Sequence, residues 1–379
     1  MLFYCPYCFI VDVNKYLSIF ALVLIIRKMN VENKLHIYYF SGTGNAKNVC
    51  HWIADEYKKV NNKIQISAIS KLDNRKVSKP EKGSTIGFIG PTHGFNFPPI
   101  LFHFILRFPR GRGNKVIIVN TRAGLKMGKL FIPGLSGLAQ YFSALILLIK
   151  GYKVVGMRPV DLPSNWISLH PGVKPKVADS IYNRCEIRVR KFANKLINNK
   201  ADYRALLDII QDLLITPISV GYYFFGRFIL AKSFFASSSC TKCGLCVNQC
   251  PINAIKWLNK RPFWKYTCES CMQCINICPE RAIETAHGFI FLVLFIVDSI
   301  ILYYLYQNIN ILNFLEQYIS TLGARGIQTL VSTIIFFVFL LIFYRLLHLL
   351  LRFKFIERIA VYTSLTKYRF WRRYKIRKI

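Results

Sequence analysis

Eight of the twelve cysteines fall into two runs, Cys240, Cys243, Cys246, Cys250 and Cys268, Cys271, Cys274, Cys278. Each run reads C-x2-C-x2-C-x3-C and is followed by a proline (Pro251, Pro279), so the second run repeats the first at one constant offset. Thiolates in this rhythm suit two 4Fe-4S clusters, whose chemistry is the uptake and release of single electrons. Three sulfurs on one tight loop reach three corners of a cubane, while the fourth points away and serves the other cluster. The spacing therefore predicts one ligand set of Cys240, Cys243, Cys246 and Cys278, and another of Cys268, Cys271, Cys274 and Cys250. The prolines turn the chain just after each crossing ligand and remove an N–H there. Zinc is the ordinary alternative, but zinc sites use paired ligands closing on one tetrahedral ion. Trp257, Phe263, Trp264 and Tyr266, between the runs, are large enough to shield the clusters.

A second constellation is Phe40-Ser41-Gly42-Thr43-Gly44-Asn45-Ala46. It lies between a strand-like run and an amphipathic helix. Glycines allow the tight turn, backbone N–H groups converge, Ser41 and Thr43 add hydroxyls, and a helix N-terminus favours an anion. A phosphate is expected there. The loop lacks the Gly-Lys-Ser/Thr of a Walker loop, and Lys47 stands where a dinucleotide fingerprint has its third glycine.

Positioning these groups requires a larger scaffold. Residues 34–200 alternate strand candidates (Leu35–Phe40, Ile64–Ile69, Thr85–Gly90, Val116–Asn120, Lys153–Val160) with helical stretches. The helices are Asn45–Val60, Pro99–Phe108, Leu135–Lys150 and Val173–Asn199, and only the second-to-third connection lacks one. Such alternation predicts an α/β doubly wound parallel sheet covered on both faces. Cys50 and Cys185 lie on apolar stripes of helical period and are expected in the core. Residues 201–236 form an apolar connector, placed either at a membrane interface or between domains.

Residues 237–286 resemble the two-cluster bacterial ferredoxins. FSGTGNA after the first strand resembles the FMN-phosphate loop of flavodoxins. Pro91-Thr92-His93-Gly94-Phe95-Asn96 and Thr121-Arg122-Ala123-Gly124 fit flavodoxin-like flavin loops, each following a strand. The flavodoxin resemblance covers residues 34–170, including Leu162-Pro163-Ser164-Asn165-Trp166. The whole resembles the family that fuses a flavodoxin-like domain to a two-cluster ferredoxin. This implies FMN held by Ser41, Gly42, Thr43, Gly44, Asn45, Pro91, Thr92, His93, Gly94, Thr121, Arg122 and Gly124. His93, Phe95 and Phe97 are open candidates for stacking on the ring or for loop packing. Ala46 stands where many flavodoxins carry a hydroxyl, and their acidic surface is absent.

Lys and Arg number 52 against 18 acidic residues, a net charge of +34, and 53% of residues are hydrophobic. Together these favour an anionic membrane surface, and no nucleic-acid-binding motif accompanies the charge. Gly288–Tyr306 and Ile327–Tyr344 meet the length of spanning helices. Residues 352–379 carry ten Lys or Arg and one acid, Glu357, which puts that tail, and with it the cysteine motifs, in the cytoplasm. Asp298 reads equally as a functional group or a partner for Ser332 or Thr333. His287 and His348 read as interfacial polar groups rather than haem ligands. Residues 1–28, with a CPYC tetrapeptide at Cys5–Cys8, read as a dispensable extension.

The expected organisation is an extension (1–28), a flavodoxin-like domain (29–200), the connector (201–236), a small α+β ferredoxin domain (237–286), a two-helix transmembrane hairpin (287–351) and a basic tail (352–379). The expected function is electron transfer between two 4Fe-4S clusters and FMN by a protein of the cell inner membrane. Its electron donor and acceptor are unspecified, and nucleic acid is not a partner. The alternative is an electron carrier or docking subunit whose flavodoxin-like domain holds no flavin.

Overall fold

A computed structural model describes residues 34–60, 63–73, 77–164, 166–297, 299, 303 and 320–371. Residues 1–28, Asn165, Asp298 and residues 372–379 lie outside the described residues, as does most of the stretch joining the two expected spans.

The first unit is a six-stranded sheet. Its strands are β1 (Leu35–Tyr39), β2 (Ile64–Ala68), β3 (Thr85–Pro91), β4 (Lys115–Met127), β5 (Leu130–Ile132) and β6 (Lys153–Pro163). The parallel order is β2-β1-β3-β4-β6, with β5 folded back antiparallel on the end of β4. Setting that hairpin aside, this is the 2-1-3-4-5 order of flavodoxin-like sheets, whose switch point lies between β1 and β3. Strand β3 is buried along its centre, as its unbroken apolar run requires of a middle parallel strand.

Helices α1 (Asn45–Lys58) and α4 (Pro175–Ile197) cover one face, and α2 (Pro99–Arg107) and α3 (Ala139–Ile149) the other. Ala46, Cys50, Ile53 and Tyr57 of the expected α1 stripe meet Ala178, Ile181, Cys185, Val189, Phe192 and Leu196 of α4 in one core, with Val49 beside them. Val60, expected on the same stripe, lies past the end of α1 and is exposed. Among the described residues, the second-to-third connection has a short 3-10 turn, Ile69–Lys71, in place of a helix.

Thr121-Arg122-Ala123-Gly124 departs from expectation. It is strand rather than loop, pairing residue by residue with Val160, Asp161, Leu162 and Pro163 of β6. A run of mixed polarity after an apolar strand reads as its end. Here β6 is also extended, and the two strands keep pairing past the sheet's edge into the β5 hairpin.

The connector is a chain of short helices: a 3-10 turn Arg204–Asp208, α5 (Ile209–Leu214), α6 (Thr216–Gly221), a π turn Tyr222–Gly226 and α7 (Arg227–Ala231). It bends by 77° between Arg204–Leu214 and Thr216–Ala231. Beyond it, β7 (Phe234–Ala236) pairs antiparallel with β10 (Ile283–Thr285), and β8 (Ile255–Leu258) with β9 (Arg261–Trp264). Two short helices, α8 (Leu245–Asn248) and α9 (Gln273–Ile277), follow the central cysteines of each run. The duplication in sequence is a duplication in backbone. Left-handed conformations recur at equivalent places of the two halves: Lys242 and Ser270, Gly244 and Met272, Asn253 and Arg281.

Then come α10 (His287–Phe295), α11 (Thr321–Leu350) and α12 (Lys354–Tyr362). Gly323–Leu350 of α11, 28 residues long, is the single described helix long and apolar enough to cross a membrane. The described part of the first expected span is α10 and the few residues after it, so the two-helix hairpin is not borne out among the described residues. Val293 and Val297 pack against Leu340 of α11.

The basic tail is not free over its described part. Glu357 is buried, accepting from Arg261 Nη2 at 3.1 Å and from Ser238 N. Trp371 Nε1 donates to Ile167 O, and Trp371 O accepts from Gly172 N at 2.9 Å. The segment therefore ties the cysteine-bearing unit to the end of the flavodoxin-like one. His287 joins the same seam, with Nε2 at 2.9 Å from Ser168 O and Nδ1 accepting from Leu365 N at 3.1 Å.

Candidate electron-transfer site

Sulfurs of the two cysteine runs neighbour one another across the repeat. Burial pushes the Cys246 thiol up to about 11, and the charges next to it are those of Cys240, Cys278 and Cys243. Burial likewise lifts Cys268 to about 12, with Cys250 among its charged neighbours, and raises Cys271, whose neighbours are Cys268 and Cys250. Cys274 is raised by burial and then by Cys268 and Cys271, and it also faces Cys246 of the other set. Cys278 thus neighbours Cys246 of the first run, and Cys250 neighbours Cys268 and Cys271 of the second. The crossing sulfurs share one environment: Ala254 N donates to Cys250 Sγ at 3.2 Å, and Ala282 N to Cys278 Sγ at 3.3 Å.

The sets differ in setting. Cys243 is exposed, whereas Cys268 and Cys274 are buried. Lys232, 2% exposed, sits beside the second set. Its Nζ donates to Trp264 O at 2.6 Å and lies 4.3–4.9 Å from the ring centres of Tyr266, Tyr344 and Phe263. Burial lowers this ammonium to about 8, partly countered by Cys268.

At the carboxyl ends of β1 and β3 lies a cavity of about 330 Å³. Of the twelve residues expected around FMN, Ser41, Gly42, Thr43, Asn45, Pro91, Thr92, His93, Gly94, Thr121 and Arg122 line it. Gly44 and Gly124 do not. Gly44 instead shapes the loop, its N–H donating to Ser41 Oγ at 3.0 Å ahead of α1. Gly124 is pressed on Asp161, where a Cβ would come within 2.9 Å of Asp161 Cβ. Asn45 is fixed by Nδ2 donating to Pro163 O at 3.0 Å and by the hydroxyl of Tyr182. Arg122 is buried and committed to acids: Nε donates to Asp161 at 2.6 Å and Nη1 to Asp208 at 2.7 Å. Phe97 is core rather than wall, packed under Gly90.

The cavity wall has a component that motif reading did not reach. Ser270, Cys271 and Met272, from the second cysteine loop, close one side of it. The approach is so tight that a Cβ on Gly42 would stand 2.6 Å from Cys271 Cβ and overlap the Cys271 carbonyl oxygen. Glycine at that place permits contact between the two units. His93, partly exposed and held near pKa 4 by desolvation, bonds to the main chain of Glu269 and stacks on Trp166 at 6.0 Å. Glu269 Oε1 in turn accepts from Ile100 N at the start of α2, at 2.9 Å, while burial raises its carboxyl to about 8. Tyr222 of the connector meets Trp166 edge-on at 5.6 Å and covers Gly94, where a Cβ would come within 2.7 Å of the Tyr222 Cβ. Trp166 fell within the resemblance, but nothing in the sequence linked Glu269 or Tyr222 to the cavity, because their positions depend on docking between units.

Residues 239–283 match the family of 4Fe-4S dicluster domains. No curated protein matches the sequence. Solved structures similar to the chain include rubredoxin oxygen:oxidoreductase from the anaerobe Desulfovibrio gigas (14% identity, 44% of this chain and 36% of that chain, TM-score 0.29). The flavodoxin of Streptococcus pneumonia TIGR4 is another (12% identity, 44% and 99%, TM-score 0.27). Oxidised flavodoxin 1 from Bacillus cereus is a third (15% identity, 41% and 98%, TM-score 0.27). The chain spans about a third of the length of the first of these. Its flavodoxin-like character rests on the strand order above. The protein therefore joins an iron–sulfur electron-transfer domain of ferredoxin type to a flavodoxin-like sheet.

Proposed function

We propose that this protein relays single electrons through two 4Fe-4S clusters to an FMN held in the β1/β3 cavity, at the cytoplasmic face of the cell inner membrane. The observation carrying this reading is the shared wall. Cys271, which would be a ligand of the second cluster, lines the same cavity as the phosphate loop. A cluster and a flavin in those places would be neighbours.

The residues fit FMN. The turn Ser41–Asn45 presents N–H groups and hydroxyls at the start of α1 for its phosphate. Phe95, Leu135, Trp166, Leu169 and Met272 give apolar walls for a ring system. FMN accepts one or two electrons, so bound there it would convert between one-electron carriers and two-electron chemistry. Protein side chains supply position, desolvation and shielding. Cys240, Cys243, Cys246 and Cys278 would hold the outer cluster, and Cys268, Cys271, Cys274 and Cys250 the inner one. The exposure of Cys243 makes the outer cluster the contact for a soluble carrier.

Membrane attachment would use α11. Its 28 candidate residues extend about 42 Å at 1.5 Å each, more than the roughly 30 Å of a bilayer core. Its C-terminal end, at Tyr344 and Leu347, is buried against the cluster domain, while Leu330, Ile334 and Ile342 are exposed. The connector runs beside it, Phe225 and Phe228 meeting Phe337 at 6.1 and 6.2 Å. Its apolar side chains Ile210, Leu213 and Leu214 would then rest at the lipid interface.

Anaerobic purification from membranes tests the reading. About eight irons, eight acid-labile sulfides and one FMN per chain are expected. Clusters without FMN would leave a ferredoxin-type carrier with a docking domain. Zinc in place of iron and sulfide would end the electron-relay reading, and full recovery in the soluble fraction would end the membrane one.

A further inference from the structure

A second cavity, of about 270 Å³, lies on the other side of Arg122 from the first, between β6, α4, the β5 hairpin and the start of the connector. Five arginines line it (Arg122, Arg158, Arg184, Arg188 and Arg204) against two carboxylates, Asp161 and Asp208. Both carboxylates are already engaged by Arg122, at 2.6 and 2.7 Å. Arg158 shares Asp202 with Lys195, at 3.1 and 3.0 Å. Among the described residues, Arg184, Arg188 and Arg204 have no carboxylate within ion-pair distance. Arg184 is oriented nonetheless, its guanidinium held 3.9 Å over the centre of the Phe131 ring.

A surplus of planar forks around a concave space, with no protein anion to satisfy it, calls for a ligand anion. Guanidinium forks match phosphate oxygens two at a time, and they resist desolvation less than ammonium groups do. Leu125, Phe131, Pro133 and Leu207 border the same space, giving an apolar wall beside the charges. A flat basic patch would suit an acidic protein. A cleft with arginines at one side and apolar groups at the other suits a small organic phosphate.

We propose that this cavity binds the phosphate-bearing end of an organic phosphate, with Arg184, Arg188 and Arg204 on its oxygens. The surplus of three arginines over the aspartates is close to the charge of a diphosphate at neutral pH. The same chemistry could arrive as a soluble nucleoside diphosphate or as a phospholipid headgroup. The site stands whether or not the neighbouring cavity holds a flavin.

The test uses the detergent-solubilised full chain and isothermal titration with inorganic pyrophosphate, adenosine diphosphate and a short-chain phosphatidic acid. Because the chain carries +34, the control for general attraction is Lys174→Gln/Lys176→Gln, which removes two exposed charges beside the same helix. Saturable binding is expected in the wild type and the control. In Arg184→Gln/Arg188→Gln it should weaken by about tenfold or more, with the cluster absorbance unchanged. Preference for adenosine diphosphate assigns a soluble ligand, and preference for phosphatidic acid assigns a headgroup. Absence of saturable binding by all three probes, or equal weakening in the arginine and lysine variants, overturns the proposal.

Discussion

Lys232 is the side chain whose chemistry is hardest to explain by packing. A buried ammonium ringed by Tyr266, Tyr344 and Phe263 and bonded to a carbonyl costs desolvation that a methionine of similar length would avoid. Its neighbour Cys268 gives it a use, because a fixed positive charge favours the reduced, more negative state of a cluster. Lys232→Met should therefore lower the midpoint potential of the inner cluster while leaving the outer one where it was. Stability should change modestly, since leaving the Trp264 carbonyl without its partner, worth about 1–3 kcal/mol, opposes the gain from removing a buried charge. An anaerobic redox titration followed by EPR separates the two clusters. Equal shifts in both, or none, would remove Lys232 from the electron path. The lysine itself is invisible as a functional residue in the sequence, where it is one of many cations. By contrast the iron–sulfur domain is legible in the sequence, because cubane geometry dictates cysteine spacing in a single stretch of chain.

At the scale of elements, what was legible is what local pattern determines. The five parallel strands, the four helices and the stripes holding Cys50 and Cys185 follow from periodicity. The β4–β5 hairpin does not, since Thr121–Gly124 become strand only because β6 extends alongside them. The same holds for the cavity wall. Ten of the twelve expected residues surround it because strand ends in this topology converge, but its closing side comes from the second cysteine loop, far along the chain from the phosphate loop it faces. The contact of Gly42 with Cys271 is the most direct handle on that docking. Gly42→Ala would force the phosphate loop off the cluster loop, at a cost of about 1–3 kcal/mol for overpacking. The expected result is a lowered melting temperature and loss of flavin from the purified protein, with iron and sulfide content retained. Retention of flavin at wild-type affinity would show that the two loops are not in contact.

For the whole molecule, the arrangement is one of mutual clamping. The cluster domain rests on the flavodoxin-like sheet through Glu269 and Cys271, on α11 through Tyr344, and on the segment 352–371 through Glu357 and Thr366. Tyr344 Oη donates to Phe234 O at 2.9 Å, so the long apolar helix α11 is bonded directly to strand β7. The internal repeat gives both sets of sulfurs the same loops and the same N–H contacts, yet the first has an exposed member, Cys243, and the second has none. Like ligation in unlike surroundings means unlike affinity for an electron. A half-reduced chain should then be an ordered species, with the added electron residing on one cubane before the other fills. In a stepwise titration the first spin signal should grow to completion before coupling between the two broadens it; simultaneous growth would mean that symmetry of sequence had carried through to symmetry of energy.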